Sequence, residues 1–299
     1  MRIVDPHVHL WDLATGLYPG VTAPSRGFIG DKSAIARSYL PQDFLAETEG
    51  GLDIAGAVHV EAFPTDPVRE VAHVQAMADA TSIPLGIVGR VDLSDPHVEQ
   101  RLGRLATFPA IRGVRQVLNT HKNPHFAYVE RDYLADDHWR KAFGYLEAYG
   151  LSFDLQIYPH QGAAAAELAA AYPRIAIVLN HAGMWVDRDA AGWRGWKAAL
   201  SRLAAQSNIV CKISGLGMFD HNWTVESFRP LILETIEAFG PDRCMFASNF
   251  PVDRLYGSYA SLWAAFSTIT EGFGKAERDA LFFGTAARIY RLTEEKLRA

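Results

Sequence analysis

The first twelve residues, Met1–Asp12, are Met-Arg-Ile-Val-Asp-Pro-His-Val-His-Leu-Trp-Asp. Apolar side chains alternate at the start of this stretch, which is typical of a β-strand, and the strand delivers two histidines, His7 and His9. Residues two apart in a strand point to the same face, so both imidazoles can converge on one point. Two convergent imidazoles suit a divalent metal site or a pair that polarises a carbonyl, and the alternative is a surface strand with two chance histidines.

Seven further apolar segments follow this strand, and a helical pattern separates each from the next. Continuous apolar segments are typical of strands that are buried on both faces. The predicted strands are Ala55–Ala62, Ile83–Val91, Ile111–Leu118, Leu151–Tyr158, Arg174–Asn180, Asn208–Ser214 and Cys244–Asn249. Eight strand–helix units in 299 residues predict the α/β class, specifically a (β/α)8 TIM barrel formed by one domain over residues 1–299. An open doubly wound sheet is the alternative, but it would need a G-x-G-x-x-G or P-loop pattern, and the sequence has neither.

Composition and charge limit the partners of the chain. It is 49 % hydrophobic and 21 % charged, as expected for an ordinary globular protein. The net charge of −5, without a long run of either sign, argues against nucleic acid or an anionic membrane as a partner. No apolar run approaches the roughly 20 residues of a membrane span, and no secretory signal is visible. Cys211 and Cys244 lie in apolar segments, which is typical of buried thiols in a reducing compartment, so we expect a cytoplasmic protein. We expect its partner to be a small-molecule substrate, and a homo-oligomer is left open.

Polar residues near the carboxyl ends of the predicted strands are the candidates for chemistry, because a (β/α)8 barrel carries its active site there. Besides His7 and His9, these candidates are Glu61, Arg115, Gln156, His181, Lys212, Asn249 and Asp253. His181 directly follows an apolar strand, where ligation or catalysis is favoured over capping of a turn. The two cations suit recognition of a substrate carboxylate, although ion pairs within the barrel are the alternative. His59 is interpreted as an outer-face or core imidazole.

The loop Leu10–Ile29 is long, and long loops in compact domains are often functional. It carries Trp11, and Trp185 follows the sixth predicted strand. We expect these two indoles to wall the substrate pocket. Gln156 and Asn249 are predicted to contact substrate in the same pocket.

Four motifs, in this order along the chain, resemble the amidohydrolase superfamily. They are Asp-Pro-His-Val-His-Leu-Trp-Asp at the first strand, Gly-Val-Arg-Gln-Val at the fourth, Leu-Asn-His-Ala-Gly at the sixth and Met-Phe-Ala-Ser-Asn-Phe-Pro-Val-Asp at the eighth. The chain is most similar to the lactonase-rich branch, which includes sugar-acid lactonases and 2-pyrone-4,6-dicarboxylate lactonase. This resemblance implies a TIM barrel in which His7, His9 and His181 bind one divalent metal ion, with zinc the first choice, or polarise the carbonyl without a metal.

The eighth strand departs from the family pattern. Members usually carry Ser-Asp-Trp-Pro there, and that aspartate is the metal ligand and general base; this chain has Ser248-Asn249-Phe250-Pro251. An amide cannot accept a proton from water, so we expect Asp253 or Glu61 to act as the base.

The predicted activity is hydrolysis of a lactone or related ester of a small carboxylated or polyhydroxylated acid, by attack of water on a polarised carbonyl. Two alternatives remain at this stage. One is a decarboxylase or hydratase of an unsaturated or aromatic acid on the same fold. The other is a barrel that binds ligands but has lost its catalytic base.

Overall fold

A computed structural model describes residues 2–24, 27–48 and 51–292 of the chain. Eight parallel strands form one sheet in sequence order. The strands are β1 Arg2–Val8, β2 Asp53–Val60, β3 Leu85–Arg90, β4 Ile111–Val117, β5 Ser152–Gln156, β6 Ile177–Leu179, β7 Ile209–Ile213 and β8 Cys244–Phe246. This order, with helices between successive strands, confirms the predicted (β/α)8 barrel. Residues 293–299 of the predicted domain lie outside the described ranges.

Helices surround the sheet and bury their apolar faces against its outer side. In chain order they are α1 Pro19–Thr22, α2 Pro41–Glu47, α3 Pro67–Ala80, α4 Val98–Leu105, α5 Asp137–Phe143, α6 Tyr145–Ala148, α7 Gly162–Ala171, α8 Ala190–Ala204, α9 Val225–Phe239, α10 Tyr259–Ile269, α11 Lys275–Asp279 and α12 Thr285–Ile289. Over the described ranges, none of the helices is long and apolar enough to cross a membrane.

The third to the eighth strands are all shorter than the sequence pattern predicts, and the sixth and eighth keep the smallest share of their predicted residues. The sixth was expected over Arg174–Asn180 and the eighth over Cys244–Asn249, whereas the ladders hold only Ile177–Leu179 and Cys244–Phe246. At β8 the physical reason is visible: the amide of Ser248 donates to the carboxylate of Asp5, at 3.0 Å, and not to a strand carbonyl. The predicted loop Leu10–Ile29 also contains helix α1; its residues 25 and 26 lie outside the described ranges.

The barrel closes between its first and last strands. Val8 forms a parallel bridge with Phe250, and the amide of His9 donates to the carbonyl of Phe250 at 2.7 Å. The amide of Asn249 donates to the carbonyl of His7 at 2.8 Å. Closure therefore brings the end of β8 beside both histidines of the first strand.

The register of β1 changes just before its histidines. Val4 packs with the apolar residues inside the barrel, while its neighbour Ile3 packs with the outer helices. The pairing with β2 then shifts between Asp5 and Val8, across Pro6, which has no amide hydrogen to donate to a ladder. After this shift His7 faces the barrel interior.

A buried ion pair sits deeper in the barrel. The ammonium of Lys212 lies 2.6 Å from Oδ2 of Asp154, and both side chains are fully buried. The same carboxylate accepts a hydrogen bond from the Tyr290 hydroxyl, at 2.8 Å, and one from the Asn180 amide, at 3.0 Å. We call these four residues the interior cluster; valines of several strands pack beneath it.

Candidate active site

Three histidines from two sides of the barrel meet at its mouth. The ring centre of His7 lies 5.0 Å from that of His9 and 4.7 Å from that of His181. All three side chains are buried. The spacing of the first strand and the position after the sixth therefore place these imidazoles together, as the sequence pattern suggested.

Two of the three imidazoles are held by hydrogen bonds, and one is not. Nδ1 of His9 lies 2.8 Å from the carbonyl oxygen of Val60, and Nδ1 of His181 lies 2.9 Å from the hydroxyl of Ser214. Within the described part of the chain, neither ring nitrogen of His7 has a hydrogen-bond partner. Buried polar atoms are nearly always hydrogen-bonded, so this free imidazole calls for a functional explanation.

The surroundings keep the three histidines neutral. Burial lowers the pKa of His7 well below its ordinary value, and the nearby charge of Lys212 adds to the effect. Burial and the charge of Arg115 lower the pKa of His9 to about 3, and they also lower the pKa of His181. A neutral imidazole can donate one hydrogen bond and offer one lone pair, which is what carbonyl polarisation or metal ligation needs.

Asn249 and Asp253 complete the site from the end of β8, next to the first strand. Asn249 has a positive φ of 60°, an uncommon backbone conformation that asparagine tolerates better than most residues. Its side-chain amide donates to Oδ1 of Asp253 at 2.9 Å. Burial raises the pKa of Asp253 to about 7, so this carboxylate changes protonation near neutral pH. We call His7, His9, His181, Asn249 and Asp253 the mouth cluster.

The other predicted acid, Glu61, is held by Arg115. The guanidinium donates to Oε1 of Glu61 at 2.8 Å and to its backbone carbonyl at 2.7 Å, and it reaches the Gln156 side-chain oxygen at 3.1 Å. The second carboxylate oxygen of Glu61 accepts from the amide of Phe63 at 2.8 Å. Arg115 is thus paired within the chain, as Lys212 is with Asp154, and a substrate carboxylate would have to compete with these pairs.

A cavity of about 410 Å³ opens beside His9. Trp11 lines it, with its ring centre 6.3 Å from that of His9 and its indole N–H donating to the carbonyl of Arg37. Trp185 lies elsewhere: its ring packs on Trp193 and Trp196, and it is not among the residues that line this cavity.

Comparison with known proteins identifies the family of the chain. The sequence pattern of the amidohydrolase family matches residues 4–292, which is nearly the whole chain. The chain belongs to the amidohydrolase family. Its membership and the site at the barrel mouth make it an enzyme of the amidohydrolase superfamily.

Three proteins with similar sequences or structures are informative for comparison with this amidohydrolase. The uncharacterized protein y4mH of Sinorhizobium fredii is 44 % identical, over 98 % of this chain and 99 % of that protein. An L-fucono-1,5-lactonase of Burkholderia ambifaria is 29 % identical, over 97 % of this chain and 95 % of the relative. A crystal structure of an amidohydrolase from Burkholderia multivorans with bound zinc is 26 % identical, with a TM-score of 0.82, over 97 % of this chain and 99 % of that one.

The mouth cluster of this amidohydrolase suits a metal ion in its donor chemistry. Both ring nitrogens of His7 are unpartnered, and three neutral imidazoles are a known ligand set for zinc. As the side chains lie, however, no group of three or more His, Cys, Asp or Glu residues in ranges 2–24, 27–48 and 51–292 could hold a metal ion. Binding one would therefore require the imidazoles to turn.

Sequence reasoning missed residues that organise the mouth of the barrel. Asp5 accepts hydrogen bonds from the amides of Ser248 and His7 and from the hydroxyl of Tyr259, and burial raises its pKa to about 6. The available signal was a charged residue inside an otherwise apolar strand. Gly215 was also missed: a Cβ there would lie 2.5 Å from Nδ1 of His181, so only glycine leaves room for that imidazole.

His59 is buried on the outer side of β2. Its Nδ1 accepts a hydrogen bond from the amide of Leu10 at 3.0 Å, and its Nε2 faces Glu70 at 3.5 Å. It supports the backbone after the first strand and lies outside the mouth cluster.

Proposed function

We propose that this amidohydrolase hydrolyses a lactone or a related ester of a small organic acid. The observation that carries the proposal is the imidazole of His7, which is buried, neutral and without a hydrogen-bond partner in the described chain. Asn249, whose backbone amide donates to the carbonyl of His7, links this histidine to Asp253, a carboxylate that ionises near neutral pH. The names of the L-fucono-1,5-lactonase relatives support the same reaction class.

In the mouth cluster, the imidazoles would act on the substrate carbonyl and the carboxylate would act on the attacking water. His7 would donate its ring N–H to the carbonyl oxygen and stabilise the negative charge that develops there, and His181 would do so from Nε2 when its Nδ1 accepts from the Ser214 hydroxyl. His9 already donates its Nδ1 proton to the carbonyl of Val60, so it has only its Nε2 lone pair to offer, which suits a metal ion. The carboxylate of Asp253 would take a proton from the attacking water as the new carbon–oxygen bond forms. The same proton would then pass to the ring oxygen as the lactone bond breaks, which releases a hydroxy acid.

We assign the base to Asp253 in preference to Glu61. Both oxygens of Glu61 already accept hydrogen bonds, and its carboxylate is held in a buried ion pair with Arg115, so an attacking water would have to displace these partners. Asp253 accepts from the Asn249 amide, and its raised pKa suits proton transfer at neutral pH. Asn249 would therefore position the carboxylate that takes over the role of the missing strand-eight acid.

A metal ion would supplement this chemistry. His7, His9 and His181 would hold one divalent ion, with zinc the first choice, and a bound ion would act as a Lewis acid on the carbonyl oxygen. Zinc in the related Burkholderia multivorans structure supports this part of the proposal. The cytoplasmic location, the small-molecule substrate and a homo-oligomer stay predictions from sequence.

A panel of lactones and simple esters tests the reaction class. The purified protein is assayed for acid release, and metal content is measured on the same preparation, with and without a chelator. We expect acid release from at least one lactone. If the chelator removes the metal and abolishes activity, and added zinc restores it, the ion is zinc. Release of carbon dioxide from an unsaturated acid, with no lactone opened, would contradict lactone hydrolysis and favour a decarboxylase.

A further inference from the structure

The cavity beside His9 has mainly apolar walls. Val21, Ile29, Ile35 and Val252 contribute aliphatic side chains, and Trp11 adds an aromatic face. A volume of about 410 Å³ is in the range of small-ligand pockets and exceeds what a lactone ring alone would fill. The part of a substrate that extends past His9 would therefore contact mainly aliphatic and aromatic side chains.

Several of the polar groups around this cavity are already engaged. The indole N–H of Trp11 donates to the carbonyl of Arg37 at 2.6 Å. The ammonium of Lys32 donates to the carbonyl of Gly20 at 2.7 Å, and Nδ1 of His9 is bonded to Val60. Hydroxyl groups placed here would lose hydrogen bonds to water and find few replacements, which is costly.

Phe63 adds an exposed aromatic ring to the wall. It is 44 % exposed and has a positive φ of 54°, a conformation that bulky residues rarely adopt. Its ring is parallel to that of Tyr128, with the ring centres 6.2 Å apart, and both residues line the cavity. A strained backbone that leaves a large apolar side chain in solvent is typical of a binding site.

We propose that the substrate is a lactone whose ring carries an aliphatic or aromatic substituent, and that this substituent occupies the cavity beside His9. The proposal rests on the proposed lactone hydrolysis and narrows its substrate class. It replaces the carboxylated or polyhydroxylated substrate expected from the sequence, because the cations expected to bind such groups, Arg115 and Lys212, are paired with Glu61 and Asp154.

A matched pair of lactones tests the substrate class. We would compare kcat/KM for δ-phenyl-δ-valerolactone and gluconolactone, which share a six-membered lactone ring. We expect the phenyl lactone to be preferred at least about tenfold, the order of discrimination that apolar pockets provide. Equal or higher kcat/KM for gluconolactone would overturn the proposal while leaving lactone hydrolysis intact.

Substitutions in the wall connect the preference to this cavity. Phe63→Asn keeps a residue type that tolerates positive φ but removes the apolar ring, and Val21→Thr adds one hydroxyl at nearly constant volume. Each should lower kcat/KM for the phenyl lactone several-fold more than it lowers kcat/KM for gluconolactone. Tyr145→Asn, at another exposed aromatic residue outside the cavity, is the matched control. An unchanged preference in both wall variants would overturn the proposal.

Binding of analogues that cannot be hydrolysed tests the apolar cavity independently of lactone hydrolysis. Phenyltetrahydropyran and anhydroglucitol have the same ring without a carbonyl, and their affinities can be measured by calorimetry. If no lactone is opened but the phenyl compound binds more tightly, lactone hydrolysis fails and the apolar cavity stands. Tighter binding of anhydroglucitol, or binding of neither compound, overturns the apolar cavity whatever the turnover.

Discussion

The interior cluster and the mouth cluster are two sets of buried polar side chains inside one barrel, and they differ in how their ionisable groups are satisfied. In the interior cluster the charges of Lys212 and Asp154 are paired at 2.6 Å, and Tyr290 donates to the same carboxylate. In the mouth cluster His7 has two ring nitrogens without partners in the described chain. Buried charges that are paired hold structure together, whereas a buried polar atom left free is available to a ligand.

The largest effect is expected from the base of the mouth cluster. Asp253→Asn should lower kcat/KM for a lactone by about 10²-fold to 10⁴-fold, the usual contribution of a general base. The urea midpoint near pH 7 should rise, because a neutral isostere removes the cost of burying an ionised carboxylate. Asp53→Asn, at an exposed position at the start of β2, is the control. Full activity of Asp253→Asn would remove Asp253 from the mechanism.

The interior cluster should respond in the opposite way. Lys212→Met leaves the carboxylate of Asp154 buried without its cation, which should lower the free energy of unfolding by about 3–5 kcal/mol in urea titrations. Adding Asp154→Asn should restore most of that loss, because no unpaired charge remains. If Lys212→Met instead lost activity at unchanged stability, Lys212 would contact substrate, as the sequence predicted.

A substitution of His7 tests whether the unpartnered imidazole of the mouth cluster serves function and not stability. His7→Leu should lower kcat/KM by about 10²-fold to 10³-fold, as loss of one group that stabilises an oxyanion does. It should also raise the free energy of unfolding by about 1 kcal/mol, since an unsatisfied buried polar group is removed. A marked loss of stability in this variant would mean that the imidazole is structural.

The pH profile gives the smallest effect. Only ionised Asp253 accepts a proton, so kcat/KM should fall about tenfold per pH unit below its pKa of about 7 and be level above it. Stability should move the other way: raised pKa values of Asp5 and Asp253 mean that the folded state binds protons more tightly than the unfolded chain. The free energy of unfolding should therefore fall as pH rises from about 4 to about 7. A kcat/KM that rises as pH falls below 7 would contradict the base assignment.

Much of the fold could be predicted from sequence, because each barrel strand is buried on both faces and appears as an apolar run. That His7 and His9 share one face follows from strand spacing, whereas the register shift across Pro6 that turns His7 into the barrel could not be predicted. The partners of the cations could not be predicted. Arg115 and Glu61 are 54 positions apart, and Lys212 and Asp154 are 58 apart, so only the closed barrel sets these contacts.

The role of Asn249 likewise needed the structure. The sequence predicted Asp253 or Glu61 as the base in place of the missing acid, with loss of the base as an alternative, and only the structure shows that the side-chain amide of Asn249 donates to Asp253. The apolar cavity was also invisible in the sequence, because its walls come from loops that follow different strands.

The last described helix has a consequence for how the barrel is made in the cell. Tyr290, just beyond α12, supplies the hydroxyl that Asp154 accepts, and its ring centre lies 4.9 Å from the ammonium of Lys212. The ribosome makes Tyr290 after all eight strands, so a nascent chain that has just completed β8 holds this ion pair without the tyrosine hydroxyl. Early termination of translation, even after all eight strands have emerged, would leave a chain that quality-control proteases recognise as unfinished.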